Sequence, residues 1–182
     1  MNLWKTAFRL TGYTIVNKVN LPAKCVICVA PHTSNMDFIL GILAYKSMGR
    51  EANFLMKKFW FFFPLKYLLR KLGGIPVERK KGKGRSLTSE VISQFKERDY
   101  MNLAVTPEGT RSRTSEWRTG FLAIARGAGV PVVLATIDFS NKKIEFLSIY
   151  EPGESIESDL AKIKEFYSEF ASNAKYPEKF TT

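Results

Sequence analysis

Histidine occurs once in this chain of 182 residues, at His32, and cysteine only twice, at Cys25 and Cys28. With one imidazole, any chemistry that needs a base titrating near neutral pH has a single place to go. The two cysteines stand three apart in one apolar strand candidate, so their side chains point to opposite faces and do not suit mutual bonding. The turn-to-helix setting of a redox C-x-x-C motif is missing, and so is a second pair of metal-type ligands. No metal site is expected, and both thiols read as core residues of a reducing compartment. Long apolar runs are absent as well: no stretch approaches the roughly 20 residues needed to span a bilayer.

The N-terminal segment carries Leu3, Trp4, Phe8, Leu10, Ile15 and Val16, interrupted by Lys5, Arg9 and Lys18. It lacks the continuous apolar region and small-residue cleavage site of a signal peptide. Its pattern predicts an amphipathic helix over 2–19 lying on a membrane. The expected organisation is therefore a membrane-associating helix at 1–20 and a single domain at 21–182, which lies on a membrane without crossing it. At 45% hydrophobic residues the chain can bury one core, and it shows no internal repeat.

Acidic residues are scarce. Against 28 Lys and Arg there are 17 Asp and Glu, a formal net charge of +11. Such an excess implies an anionic partner: nucleic acid, phospholipid headgroups or a phosphorylated substrate. Much of it flanks apolar rings in the run from Lys57 to Lys71, where Phe59, Trp60, Phe61, Phe62 and Phe63 are contiguous. Base-stacking surfaces space their aromatics, and this block holds more apolar area than stacking requires. Cations around such a block suit a bilayer interface, with rings at headgroup level and Lys/Arg on anionic lipid. An anionic membrane surface is the expected partner, and nucleic acid is not. By the same reasoning Phe61 is expected to contribute to membrane contact.

Apolar and β-branched residues predict strands at 25–30, 53–56, 75–78, 101–106, 131–138 and 143–149. Helical patterns at 36–48, 59–71, 86–98, 118–128 and 155–174 alternate with them. This alternation predicts an α/β domain with a mostly parallel central sheet flanked by helices, plus the N-terminal amphipathic helix. The short gap between the last two strands predicts an antiparallel edge. The segment 79–85 is a basic loop, but Lys83 is followed by Gly84 and no glycine occupies the required upstream position, so it is not a phosphate-binding P-loop.

In open α/β sheets ligands bind beyond the carboxyl ends of the strands. Two clusters fall there: Pro31-His32-Thr33-Ser34-Asn35-Met36-Asp37 and Thr106-Pro107-Glu108-Gly109-Thr110-Arg111. On an ideal helix, positions five apart differ by about 140°, so His32 and Asp37 would not share a face. They meet if His32 lies in the strand-to-helix loop and Asp37 in the first helical turn. Thr33, Ser34 and Asn35, all N-cap types, support a helix starting there, and the helix dipole favours a carboxylate in its first turn. Asp37 would then hold one imidazole nitrogen and stabilise the imidazolium formed when His32 takes a proton. Ser34, Ser112 and Thr110 are candidate nucleophiles, but the simpler reading is that the substrate brings its own hydroxyl. Glu108, Gly109 and Thr110 offer a turn with exposed backbone N–H groups. Arg111, with Arg113 and Arg118 behind it, suits bidentate phosphate binding.

From about Val26 to Asp138 the sequence resembles the glycerolipid acyltransferases, in particular the 1-acyl-sn-glycerol-3-phosphate (lysophosphatidate) acyltransferases. His32-Thr33-Ser34-x-x-Asp37 resembles their first block, the acyl-transfer base. Gly74-Ile75-Pro76-Val77-Glu78-Arg79 is similar to the second, with Glu78 where Asp is commoner. Pro107 to Ser112 resembles the third, assigned to the glycerol phosphate, and Trp117-Arg118-x-Gly120 stands where Phe-Lys-x-Gly is frequent. Val130-Pro131-Val132-Val133 is similar to the proline-bearing fourth block. Pro31 replaces a common Asn.

The resemblance implies acyl transfer from an acyl thioester, acyl-CoA or acyl-[acyl carrier protein], to the free hydroxyl of a lysophospholipid, giving phosphatidic acid when the acceptor is 1-acyl-sn-glycerol-3-phosphate. It also implies that no cofactor is bound and that the work is done at the cytoplasmic face of the cell membrane. His32 would be the base, Asp37 its orienting partner, and Lys57 would lie near the reacting carbonyl. Backbone N–H groups near Gly109 would help stabilise the oxyanion. Arg79, Glu108, Gly109, Thr110 and Arg111 would bind the acceptor. A lyso-aminolipid acceptor, hydrolysis by water and a non-enzymatic membrane-coating role are the alternatives.

Overall fold

The computed structural model describes residues 3–77, 87–153 and 155–182. Its centre is a seven-stranded sheet: β1 (Thr14–Asn17), β2 (Lys24–Val29), β3 (Asn53–Lys57), β4 (Gly74–Val77), β5 (Met101–Val105), β6 (Val132–Asp138) and β7 (Lys143–Tyr150). In space the order is β1-β7-β6-β2-β5-β3-β4. Strands β2 to β6 run parallel, β7 is antiparallel to β6, and β1 is parallel to β7. The mostly parallel sheet expected from the alternation of elements is thus present. The central strands are buried on both faces, which is why β6 reads as the near-continuous apolar run Val132-Val133-Leu134-Ala135.

Helices cover both faces. On one, α1 (Leu3–Leu10) and α2 (Asn35–Ser47) pack through Phe8, Leu40, Ala44 and Tyr45 against Cys25, Ile27, Val133 and Ile137. On the other, α4 (Leu87–Glu97), α5 (Gly120–Ala128) and α6 (Ile156–Ser168) bury Val91, Phe95, Leu122, Ile163 and Tyr167 against Val26, Cys28, Leu103 and Val132. Cys25 and Cys28 therefore belong to opposite layers, both free and buried, as their spacing on a strand requires. Burial pushes the Cys25 thiol up to about 12 and raises Cys28 further, leaving both unreactive.

Four expectations change. The N-terminal helix ends at Leu10, because Gly12 takes a left-handed conformation (φ 74°) and the β-branched run Thr14-Ile15-Val16 joins the sheet as β1. As a result, β6 and β7 are antiparallel but not an edge pair, since β1 lies outside β7. The segment 59–71 is not one helix. A 3-10 turn at Lys58–Trp60 leads through Phe61–Pro64 into a short α3 (Leu65–Lys71). Pro64 ends any helix arriving from the N-terminal side. The last helix stops at Ser168, and 3-10 turns at Ala171–Asn173 and Pro177–Lys179 follow. The basic loop at 79–85, with Glu78, lies outside the described residues.

Tyr167 ties α6 to the sheet. Its buried hydroxyl donates toward Cys28 O (2.6 Å) and Ala135 O (3.0 Å) and accepts the Ala135 N–H (2.9 Å). It thus satisfies backbone groups of β2 and β6 just before β2 leaves the sheet. Tyr167→Phe strands the Ala135 N–H in a dry environment and should cost about 1–3 kcal/mol of stability. Urea unfolding checks this, and an unchanged midpoint would remove Tyr167 from the role.

Candidate active site

The carboxyl ends of β2, β3, β4 and β5 share one rim of the sheet, because these strands are parallel. The rim therefore collects segments far apart in sequence: 30–37 after β2, Lys57 at the end of β3, and 106–111 after β5. Arg79, two residues beyond the end of β4, lies outside the described residues.

Asp37 organises the first segment. Ser34 is the N-cap of α2; its hydroxyl accepts the Met36 N–H (3.1 Å), and Asp37 closes a capping box by accepting the Ser34 N–H (3.0 Å). The same oxygen, Oδ2, accepts the Thr33 N–H (3.0 Å) and lies 2.9 Å from His32 Nδ1. A carboxylate facing Nδ1 calls for a proton there, which leaves Nε2 as the basic nitrogen. The loop-plus-first-turn arrangement expected for His32 and Asp37 is the observed one. Asp37 is buried and His32 is partly open, with its side chain 16% exposed. Ser34 is occupied as a cap, which answers its candidacy as nucleophile.

The second cluster docks onto the first through two contacts. Glu108, 6% exposed, accepts the His32 backbone N–H on Oε1 at 2.7 Å. Its other oxygen is buried without a partner among the described residues. Burial raises the Glu108 carboxyl above the usual carboxylate range; the His32 N–H pulls the other way. Arg111 donates from Nη1 to Asn35 Oδ1 at the start of α2, so its guanidinium is held at the rim.

Gly109 stands in the left-handed region (φ 63°), with the Arg118 Cγ 3.1 Å from where a Cβ would lie. Its N–H closes a turn onto Thr106 O (3.1 Å). Of the backbone N–H groups expected near Gly109, that of Gly109 itself is consumed by the turn that reverses the chain after β5. Thr110 Oγ1 accepts the Ser112 N–H (3.2 Å) and so serves a local turn. Glu108 is likewise committed to the His32 peptide rather than presented to solvent. Lys57 is exposed. Among the described residues no group of three or more His, Cys, Asp or Glu side chains is placed to hold a metal ion.

Sequence reasoning missed two participants. Asn35, read only as a cap candidate, anchors Arg111. The C-terminal segment reaches the site as well, since the Tyr176 N–H donates to Thr33 Oγ1 at 3.2 Å. Asn35 was visible inside the first cluster, whereas nothing in the local pattern around Tyr176 signals a contact 143 residues away.

Exposed apolar side chains gather on the same rim: Met36, Phe38 and Ile39 in the first turns of α2, and Phe59, Trp60, Phe62 and Phe63 after β3. Phe38 packs edge-on to Phe54 with centroids 4.7 Å apart, joining α2 to β3. Phe61 turns partly inward: its Cζ lies 3.1 Å from the Cβ position of Gly74, and it is half-buried where Phe59, Trp60, Phe62 and Phe63 are exposed. Among the described residues no helix is long and apolar enough to cross a membrane.

Comparison with known proteins agrees with this geometry. The sequence profile of the Acyltransferase family matches residues 12–138, which contain both clusters and Lys57. A probable 1-acyl-sn-glycerol-3-phosphate acyltransferase of Mycoplasma pneumoniae is 32% identical over 132 residues, 68% of this chain and 48% of that protein. The chain thus spans about half the length of this curated relative. The crystal structure of the 1-acyl-sn-glycerophosphate (LPA) acyltransferase PlsC from Thermotoga maritima has the same fold, with a TM-score of 0.63 at 23% identity, over 92% of this chain and 76% of that one. A strand-to-helix loop that pairs His32 with Asp37, gripped from β5 by Glu108, on a chain that this family profile matches over most of its length, is that of a member: the chain belongs to the acyltransferase family.

Proposed function

We propose that the protein transfers a fatty acyl group from an acyl thioester to the free hydroxyl of a lysophospholipid, 1-acyl-sn-glycerol-3-phosphate foremost, giving phosphatidic acid. The observation that carries this is the His32–Asp37 pair, with Nδ1 held at 2.9 Å and Nε2 left for substrate. The relatives named for this reaction support the choice of acceptor.

His32 Nε2 takes the acceptor's hydroxyl proton as the oxygen attacks the thioester carbonyl. The tetrahedral intermediate collapses by breaking the C–S bond, and the imidazolium returns the proton to the departing thiolate. Asp37 keeps the ring in the right tautomer and stabilises the imidazolium. Lys57 supplies the donor for the oxyanion, a role in which one donor is typically worth about 3 kcal/mol. Arg111 and Arg79 hold the acceptor's phosphate. Glu108 acts on His32 by fixing its peptide, and does not touch substrate. Acyl-CoA or acyl-[acyl carrier protein] is the donor, and no bound cofactor takes part. The exposed rings of Phe59, Trp60, Phe62 and Phe63, with Met36 and Phe38 beside them, seat the rim on the anionic cytoplasmic face of the membrane and receive the acyl chain.

Acyl transfer from labelled acyl thioester to a panel of lysolipids in mixed micelles tests the reading. His32→Ala should lose about 10²–10⁴-fold in kcat. The preference for a phosphorylated acceptor over its phosphate-free counterpart should disappear in Arg111→Ala. Transfer to a lyso-aminolipid alone would change the acceptor, and free fatty acid formed without acceptor would change the reaction to hydrolysis.

The buried Glu108 gives a second test. With its carboxyl raised, the native state binds more protons than the unfolded chain between the ordinary glutamate range and the raised value. Stability therefore falls as pH rises through that window, and Glu108→Gln removes the slope. Urea midpoints between about pH 4 and pH 8 should move in favour of Glu108→Gln as pH rises; a constant difference would deny the shift. Glu108→Gln keeps an acceptor for the His32 N–H and should keep most activity, whereas Glu108→Ala should lose it. Equal losses in the two variants would mean that the charge itself touches substrate.

For membrane contact, Phe63→Asp should reduce co-sedimentation with anionic vesicles by about tenfold or more while leaving the unfolding midpoint unchanged. Phe61→Asp should instead lower stability. Unchanged binding of Phe63→Asp would exclude this ring from the interface.

A further inference from the structure

The segment after α6 lies beyond the residues that match the family profile, yet it is built into the rim of the site. It is pinned at both ends. Asn173 O accepts the Phe139 N–H (2.9 Å) at the carboxyl end of β6. Phe180 is buried against Trp117, with ring centroids 6.0 Å apart, and Thr181 O accepts the Trp117 Nε1–H (3.2 Å). Between these anchors the Tyr176 N–H reaches Thr33 Oγ1, on the residue that follows His32.

This fixed stretch carries two cations at one ring. Lys179 Nζ lies 4.2 Å and Lys175 Nζ 5.7 Å from the centroid of Tyr176, and all three side chains are exposed. Neither lysine is in an ion pair among the described residues, and Glu178, on the same short turn, pairs with neither. Two cations beside one ring repel each other, and an anion bound near the ring lowers that cost. Each ammonium group lies close to the Tyr176 ring, and the ring neutralises neither. Resting on the acyl-transfer reading, and with Arg111 hydrogen-bonded to Asn35 of the His32 segment, a second cationic group fits a reaction whose two substrates both carry phosphate.

We propose that Lys175 and Lys179, positioned by Tyr176 and its hydrogen bond to Thr33, bind a substrate phosphate at the wall of the acyl-transfer site. The chemistry is that of two ammonium point charges on a phosphate, and the phosphate comes from the thioester donor or from the lysolipid acceptor.

The test combines kinetics with direct binding. In Lys175→Ala/Lys179→Ala, KM for the phosphate-bearing substrate should rise about five- to tenfold with kcat changed by less than about twofold, and Lys175→Arg/Lys179→Arg should restore it. Repeating the comparison with an acyl-N-acetylcysteamine thioester in place of acyl-CoA, and with monoacylglycerol in place of lysophosphatidate, identifies the source. The substitution that abolishes the mutant's defect marks the substrate whose phosphate is held. A defect that persists with both phosphate-free substrates, or no defect with any, overturns the proposal.

Binding separates this proposal from the reaction on which it rests. The Tyr176 amide resonance should shift with coenzyme A or glycerol 3-phosphate, and the shift should be lost in the double Ala variant. If the protein transfers no acyl group but the shift is present, the acyl-transfer reading fails and the phosphate site stands. No shift with either probe, or with inorganic phosphate, overturns the site.

Discussion

One carboxylate oxygen holds the active region together. Asp37 Oδ2 accepts the N–H groups of Thr33 and Ser34 and faces His32 Nδ1. The Ser34 contact closes the capping box at the helix start, where backbone donors are otherwise unpaired, and the Thr33 contact fixes the residue before the cap. The third turns a structural cap into an orienting group for a base. The H-x4-D spacing follows from this double duty. The carboxylate must stand at the third helical position to close the capping box, and His32 must stand two residues before the cap to swing its ring onto the same oxygen. Moving either residue by one position would keep the helix or the dyad, not both.

A loop held only from its helix side could still pivot about the end of β2. Two further contacts prevent this from different layers. Glu108, arriving from β5, takes the His32 N–H, and Tyr167, arriving from α6, fastens β2 to β6 a few residues earlier. Both place polar groups in dry surroundings, and burial raises both above their usual range. A hydroxyl that is neutral across physiological pH costs little there once its bonds are made. A carboxyl with one oxygen unpaired costs more, so the Glu108 contact trades stability for the position of His32.

Much of this was legible in the sequence. The alternation of strand and helix patterns gave the parallel sheet, and the N-cap run Thr33-Ser34-Asn35 placed the start of α2, hence the meeting of His32 with Asp37. The opposite orientation of Cys25 and Cys28 followed from strand geometry alone. What escaped was non-local. A run such as Thr14-Ile15-Val16 reads as helix when it follows an amphipathic helix, and only the free edge of β7 decides that it is a strand. The five contiguous aromatics read as one apolar helix face, but Pro64 and the packing of Phe61 near Gly74 divide them into inward and outward rings. The Gly109 N–H looked available because sequence does not reveal which turn carbonyl claims it. The approach of Tyr176 to Thr33 depends on where α6 stops, and helix ends are the weakest reading in any sequence.

The excess of positive charge acquires a purpose when set against these carboxylates. The base is flanked by Asp37 and, when ionised, by Glu108, so the heart of the site is negative until the imidazole takes a proton. A phosphate approaching it is repelled, and at an effective dielectric near 20 a pair of charges 4 Å apart interacts by about 4 kcal/mol. Distant surface cations cannot offset that, because salt screens them beyond roughly 8 Å. The net charge of +11 can draw the protein to an anionic membrane, but only cations fixed on the rim can bring a phosphate close to the base. Arg111 is fixed there by Asn35, and the lysines beside Tyr176 by the tail that Thr33 anchors. Both anchors lie within three residues of His32. On the proposed reading, the residues that aim His32 therefore also aim the charges that would let an anionic substrate reach it.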